Sequence, residues 1–338
     1  MKTLVCTTPG NFEYSQREKP VLTPGNAVIK IRRIGICGTD LHAFEGTQPF
    51  FNYPRILGHE LSGELVEIDG EGFAIGEAVT FIPYFNCGKC IACRSGKSNC
   101  CTSIQVCGVH IDGGMAEYLS VPAKSLLHGE GLSFEELALV EPLAIGAHGV
   151  KRAAVKAGEF VLVIGAGPIG LGTMEFARIA GGKLIALDIN EERLAFCKEK
   201  LKVAYTINAT AENVLAQLQE ITGGDMPTVI IDATGSQKAI NNAFQYLAHG
   251  ARYVLIGLQK GDLNFSHPEF HKREATLMSS RNADREDFEL VIRSMKNGDV
   301  NPATYITHVV SFDQVKDEFA SWLNPESGVI KAMVKMDV

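Results

Sequence analysis

Residues with metal-binding side chains fall close together in the stretch Ile34–Glu60, IGICGTDLHAFEGTQPFFNYPRILGHE: Cys37, His42, His59 and Glu60. Thiolate, imidazole and carboxylate are the donors that suit zinc. A zinc ion held by three protein ligands, with its fourth corner open, is a catalytic one. A lone cysteine or histidine in a loop is ordinarily a packing or solvated residue. Here the donors cluster, with a Gly-containing turn after Cys37 and a glycine just before His59, and that points to a metal.

A second group follows at Cys87–Cys101, CGKCIACRSGKSNCC. Cys87, Cys90 and Cys93 are separated by two-residue gaps, and Cys101 or its neighbour Cys100 supplies a fourth thiolate. Four thiolates saturate a tetrahedral zinc, so this site is closed and structural. Closely spaced cysteines also hold iron–sulfur clusters, but the rest of the chain implies two-electron chemistry, which favours zinc. Lys89, Arg94 and Lys97 make the loop locally basic, as in a nucleic-acid-binding ribbon. The whole chain carries a net charge of −7 with a pI near 5.8, which argues against such a partner, so these charges are read as solvating an exposed loop.

The third pattern is GAGPIG, in which Gly165, Gly167 and Gly170 enclose Pro168 and Ile169. Alone it is a weak signal. Here it joins the apolar run FVLVI to a helical segment, where a dinucleotide site needs a tight turn, a close backbone approach to pyrophosphate and close helix–strand packing. The free N–H groups of the helix start complete the anion site. Eighteen residues past Gly170, Asp188 ends the next strand. A carboxylate there can accept from the ribose hydroxyls and repels a 2′-phosphate, which favours NAD over NADP; the competing role is a helix N-cap before NEERL. Arg193 reads as a surface helix residue within reach of the adenine.

These groups need two kinds of scaffold, and 338 residues suggest two domains. Up to about residue 150 the chain reads as β-rich, irregular and Gly-rich, with antiparallel strands around KTLVCT, AVIKIRRIGIC, ELSGELVEI and AVTFIP. From Gly158 its character changes. FVLVIGAG, KLIALDI, TVIIDATG and ARYVLIGL are apolar strands separated by helical segments, the pattern of a doubly wound parallel sheet. The tail from Pro302 is too short for a domain and is expected to pack back on the first one. The expected division is 1–149 with 286–338, and 150–285. No apolar run reaches membrane-spanning length and the N-terminus lacks a signal-peptide core, so the expected compartment is the cytoplasm. In that reducing setting nine cysteines are metal ligands sooner than disulfides.

With CGTDLH, GHE, the four-cysteine loop and GAGPIG in one order, the chain resembles the zinc-dependent medium-chain dehydrogenase family over essentially its whole length. It is most similar to the polyol, threonine and sugar-acid branches, including enzymes acting on hexonates such as galactonate; YPRILGHE, GVHIDGGMAEYLSVPA and VEPLAIGAHGV carry that likeness. The resemblance implies a GroES-like β domain bearing the metals and a Rossmann domain for NAD. It makes Cys37 and His59 catalytic zinc ligands, and Glu60 and Glu141 the carboxylates that complete or exchange within that shell. Glutamate at 141, where the family's alcohol dehydrogenases carry cysteine, is the polyol-type arrangement. It makes Cys101 the fourth structural ligand, and Thr39 and His42 a proton relay. A homodimer or homotetramer is what the family suggests.

The expected reaction moves a hydride from a secondary alcohol to NAD, the proton leaving through Thr39 and His42. Arg281 and Asn282 are candidate substrate residues, Arg281 as partner of a sugar-acid carboxylate; Phe50, Phe51 and Tyr53 are a candidate apolar wall, and His110 a further lining residue. Competing readings are an L-threonine dehydrogenase, a zinc-free enone or quinone reductase, and a non-enzymatic NAD and zinc sensor.

Overall fold

The computed structural model describes residues 1–48 and 51–336 and divides into two units, Met1–Pro142 with Asp284–Val338, and Leu143–Ala283. The junction therefore falls at 142/143, within the helix Val140–Ala153. Phe50 lies outside the described residues.

The spine of the first unit is the strand Asn26–Gly35 (NAVIKIRRIG). It pairs antiparallel with Glu60–Ile68 on one side and with Lys331–Lys335 on the other, and its first half also with Tyr118–Pro122. Ala78–Phe81 and Leu126–His128 extend the sheet beyond Glu60–Ile68, while Ile306–Ser311 extends it beyond Lys331–Lys335. A separate hairpin, Lys2–Thr8 with Asn11–Gln16, takes up the short strand Arg55–Ile56. Between them lies a core that includes Leu4, Phe12, Ile29, Ile31, Ile34, Leu57, Leu61 and Leu65. The tail does pack back on this core: Phe319 lies 4.9 Å edge-on to Phe12, 5.1 Å from Phe44 and 5.4 Å from Trp322 between ring centroids.

This unit is less purely β than its sequence reads. CGTDLHAFE is not a turn but the helix Gly38–Glu45, started by Cys37 and ended by Gly46 in the left-handed region (φ 81°), where glycine carries no Cβ penalty. Phe44, near its C-terminal end, stacks on Phe12 and so anchors the helix to the core. Val140–Ala153, which starts in this unit and runs on into the second, is likewise helical: Val140, Leu143, Ala144, Ala147 and Val150 are all buried, at helical spacing. Pro142 and two glycines disguise this in the sequence. Pro142 sits in the first turn, where a missing N–H costs little. A Cβ on Gly146 would lie 2.6 Å from Thr173 N, so that glycine records a close helix approach.

The second unit is a six-stranded, wholly parallel sheet in the order Tyr205–Asn208, Lys183–Asp188, Phe160–Ile164, Val229–Asp232, Arg252–Leu255, Thr276–Ser279. In chain order this is 3-2-1-4-5-6, the doubly wound arrangement with its reversal of direction beside Phe160–Ile164. Buried strands such as FVLVI and VIID are apolar because helices cover both faces. The short helix His267–Lys272, before the last strand, is not legible in the sequence.

Candidate metal centres and nucleotide loop

Donor atoms of Cys37, His59 and Glu60 lie within 4.8 Å of one another. Two elements bring them together. Cys37 caps the helix Gly38–Glu45, Glu60 begins the strand Glu60–Ile68, and His59 stands just before that strand. Glu60 is directly opposite Gly35 on the spine strand. A Cβ at Gly35 would come 2.2 Å from Glu60 Oε2, so glycine there makes room for the carboxylate.

Two buried charges support this group, and sequence reasoning misses both. Asp40 is 1% exposed; its Oδ2 accepts from Cys37 N at 3.0 Å and its Oδ1 from Gly58 N at 3.1 Å. Oδ1 also lies 3.6 Å from His59 Nδ1. Its position three residues after a helix start is the available signal. Lys331 is 2% exposed and reaches the fully buried Glu60, with Nζ 2.7 and 2.6 Å from the two carboxylate oxygens. It donates also to Ile36 O at 3.1 Å. A lysine that opens the apolar strand KAMVK is the only hint. Burial alone would lower the Lys331 pKa, but the negative surroundings of Glu60, Cys37 and Glu141 raise it.

The residues fit a zinc ion. The donor set is one thiol, one imidazole and one carboxylate. His59 Nδ1 is buried without a hydrogen-bond partner. Burial disfavours the imidazolium, yet Asp40, Cys37 and Glu141 together raise the His59 pKa well above its usual value, which is the field that holds a cation. Asp40 Oδ1 faces His59 Nδ1 at 3.6 Å, too far for a hydrogen bond, and adds its charge to the field there.

Other predicted residues stand outside this group. Glu141 is buried at 5% exposure but its Oε1 accepts from the Tyr84 hydroxyl. Burial, opposed by His59 and reinforced by Glu60, pushes its carboxyl up to about 7. His42 is on the exposed side of its helix, with Nδ1 3.4 Å from Glu45 Oε2 and 3.2 Å from Thr47 Oγ1; Thr39 is half-buried in the first turn. The Tyr53 hydroxyl donates to Ala43 O and its ring meets Phe51 edge-on at 4.8 Å. His110 Nδ1 accepts from Val106 N at 3.0 Å, bracing a turn.

The four sulfurs of Cys87, Cys90, Cys93 and Cys101 likewise lie within 4.8 Å of one another. Cys100 is exposed and outside the group, so of the two adjacent cysteines it is Cys101 that clusters with the other three. No cysteine is in a disulfide. Backbone N–H groups of the same loop point at the sulfurs: Cys87 N to Cys101 Sγ at 3.3 Å, Cys90 N to Cys87 Sγ at 3.4 Å and Cys93 N to Cys90 Sγ at 3.5 Å. The backbone of Cys93 and Thr102 lowers the Cys90 thiol to about 5, which favours the thiolate a metal needs. This set also fits zinc, as a closed site.

In the second unit Gly165 has φ 97°, a conformation other residues resist. A Cβ on Gly170 would lie 1.8 Å from Gly165 O, so helix and strand ends touch there. Pro168 is the first residue of the helix that Gly167 caps, and Ile169 O accepts from Thr173 Oγ1 at 2.8 Å. Asp188, at the end of its strand, accepts from Ala166 N at 2.6 Å and Asn190 N at 2.8 Å. The N-cap role belongs to Asn190, which accepts from Arg193 N at 3.1 Å. A Cβ added to Gly167 would find only the Arg193 guanidinium within 4 Å, so its near face is open to a ligand. Arg281 is exposed, and Asn282 half-buried with φ 53°, just past the strand Thr276–Ser279.

Comparison with known proteins agrees with both units. Residues 23–130 match the alcohol dehydrogenase GroES-like domain and 168–297 the zinc-binding dehydrogenase model. The chain is 44% identical to an L-galactonate-5-dehydrogenase of Escherichia coli strain K12, covering 99% of this chain and 98% of that one. It is 32% identical to a sorbitol dehydrogenase of Halalkalibacterium halodurans, over 91% and 92% of the two chains. A crystal structure of the RspB alcohol dehydrogenase from E. coli CFT073, complexed with NADH, superimposes with a TM-score of 0.92 at 31% identity and covers 99% of each chain.

Proposed function

We propose, from the premise that the chain belongs to the zinc-type medium-chain alcohol dehydrogenase family, that it oxidises a secondary alcohol of a polyol or sugar acid, foremost a hexonate such as L-galactonate, with NAD as hydride acceptor. The observation that carries the substrate class is the 44% identity to L-galactonate-5-dehydrogenase along nearly the whole chain.

Cys37, His59 and Glu60 are the proposed holders of a catalytic zinc, and Cys87, Cys90, Cys93 and Cys101 of a structural one. When bound, the catalytic ion lowers the pKa of the substrate hydroxyl and the nicotinamide ring accepts the hydride. The chain's residues do the rest. Asp40 adds its charge beside His59, and Lys331 neutralises Glu60. Thr39 takes the hydroxyl proton as it gives up its own to His42, one helical turn on and in solvent. Gly165, Gly167 and Gly170 admit the pyrophosphate to the start of the helix Pro168–Ile179. Asp188 accepts from the ribose hydroxyls, and Arg193 covers the adenosine side. Arg281 and Asn282 are the proposed partners of the sugar-acid carboxylate and a neighbouring hydroxyl.

A screen for NADH formation over hexonates, pentitols, hexitols and L-threonine tests this. Turnover confined to L-threonine moves the substrate to that class; NAD binding with no turnover on any of them favours a sensor. About two zinc per chain is expected, and none would favour a zinc-free reductase. Among the described residues no helix is long and apolar enough to cross a membrane. The same reading makes the protein a cytoplasmic homodimer or homotetramer, which sedimentation of the purified protein tests.

A further inference from the structure

Two buried carboxylates stand beside the Cys37–His59 pair, and each is held by a different kind of partner. Glu60 is gripped by the Lys331 ammonium on both oxygens and still keeps an oxygen within the ligand group. Glu141 accepts on Oε1 from a neutral phenol, the Tyr84 hydroxyl, and is absent from that group. Tyr84 is itself well fixed. It is 7% exposed, its ring meets Phe288 edge-on at 6.1 Å, and its backbone pairs with Val106. The strand Tyr84–Phe85 stands just before Cys87, and Gln105–Val106 shortly after Cys101. The two short strands thus close the neck of the four-cysteine loop, and Cys107 N reinforces them by donating to Pro83 O at 3.0 Å.

We propose that Tyr84 is a positioning residue whose hydroxyl, by donating to Glu141, keeps that carboxylate from becoming a fourth protein ligand of the metal and so leaves the fourth position to the substrate hydroxyl. The inference rests on the proposed function. Three donors and a vacancy make a catalytic zinc, whereas four protein donors make a closed one. Glu141 is close enough to act electrostatically on His59, and a carboxylate so placed would compete for an open corner unless something else held it. A phenol suits this role because it donates one hydrogen bond without adding a positive charge beside the ion. The loop ties this restraint to the second metal, because the strand carrying Tyr84 is fixed where the four thiolates converge.

Tyr84→Phe removes one oxygen and keeps the ring packing. In the zinc-loaded enzyme the variant is expected to hold its catalytic ion about tenfold more tightly in a chelator competition, and to lose about 10- to 100-fold in kcat, the range typical of outer-shell changes, with the Kd for NAD unchanged. After cobalt replaces the catalytic zinc, its visible spectrum should shift from that of the wild type, since the coordination sphere differs. Glu141→Gln provides a second, independent reading. It should leave metal affinity as in the wild type, because an outer carboxylate contributes no bond to the ion. Unchanged chelator competition and cobalt spectrum in Tyr84→Phe overturn the proposal, as does tenfold or greater loosening of the metal in Glu141→Gln. A wild type that retains a single zinc per chain, or turns over no alcohol, overturns the functional reading and this inference with it. Two zinc ions and turnover in the wild type, with an unresponsive Tyr84→Phe, overturn this inference alone.

Discussion

The two metal centres lie in one unit and share a fit for zinc, yet they are assembled in different ways. The four-cysteine loop draws every donor from a single short stretch, and the N–H groups that brace its sulfurs come from that same stretch. The Cys37–His59–Glu60 group takes donors from a helix start and the head of a strand, and its supports come from Asp40, Tyr84 and Lys331, the last of them 271 residues from Glu60. The first group is half-exposed except for Cys101, whereas His59 and Glu60 are buried. A closed site needs only to gather ligands, which a local loop does unaided. A site with a vacancy must gather some donors and restrain others, and restraint has to come from elsewhere in the fold.

Substitutions at the two centres should therefore fail differently. Cys37→Ser is expected to abolish turnover while the melting temperature of the holoenzyme moves by less than about 4 °C; a large fall in melting temperature would erase the distinction between the centres. Cys93→Ser should lower that temperature by about 10 °C or more, because metal binding in a structural site is folding energy. A differential scan of both variants, with zinc content measured on the same samples, decides it. Lys331→Met strands the Glu60 charge in the interior, and its cost should be about 3–5 kcal/mol in urea unfolding. The cost should be smaller in the zinc-loaded protein, where an ion still faces the carboxylate; equal losses with and without zinc would detach Lys331 from the metal centre. Outside this pair of centres, Asp188→Ala should narrow the preference for NAD over NADP by about tenfold, roughly 1.4 kcal/mol. An unchanged ratio of kcat/KM for the two coenzymes would remove Asp188 from the coenzyme site.

Legibility follows the same division. The cysteine spacing, the GAGPIG turn and the alternation of apolar strands with helices are local patterns, and each appears in the structure where the residues put it. The helix Val140–Ala153 is hidden in the sequence because Pro142, Gly146 and Gly149 look like breaks until the close approach at Gly146 is seen. Gly35 reads as an ordinary glycine at a strand end; its meaning depends on Glu60 lying opposite. His42 clusters with the metal donors in sequence, but helical geometry turns its ring to solvent, away from them.

The sequence by itself determined the donor types, the closed thiolate loop and the dinucleotide turn, since each depends on neighbours a few bonds or one helical turn apart. Only the tertiary structure decided that Lys331 would meet Glu60, that Tyr84 would bind Glu141 and that Asp40 would stand behind His59. Those pairings span strand registers and chain separations that no local spacing encodes, and they form because a buried charge or hydrogen-bonding group must find its partner wherever the packing of the core brings one within reach.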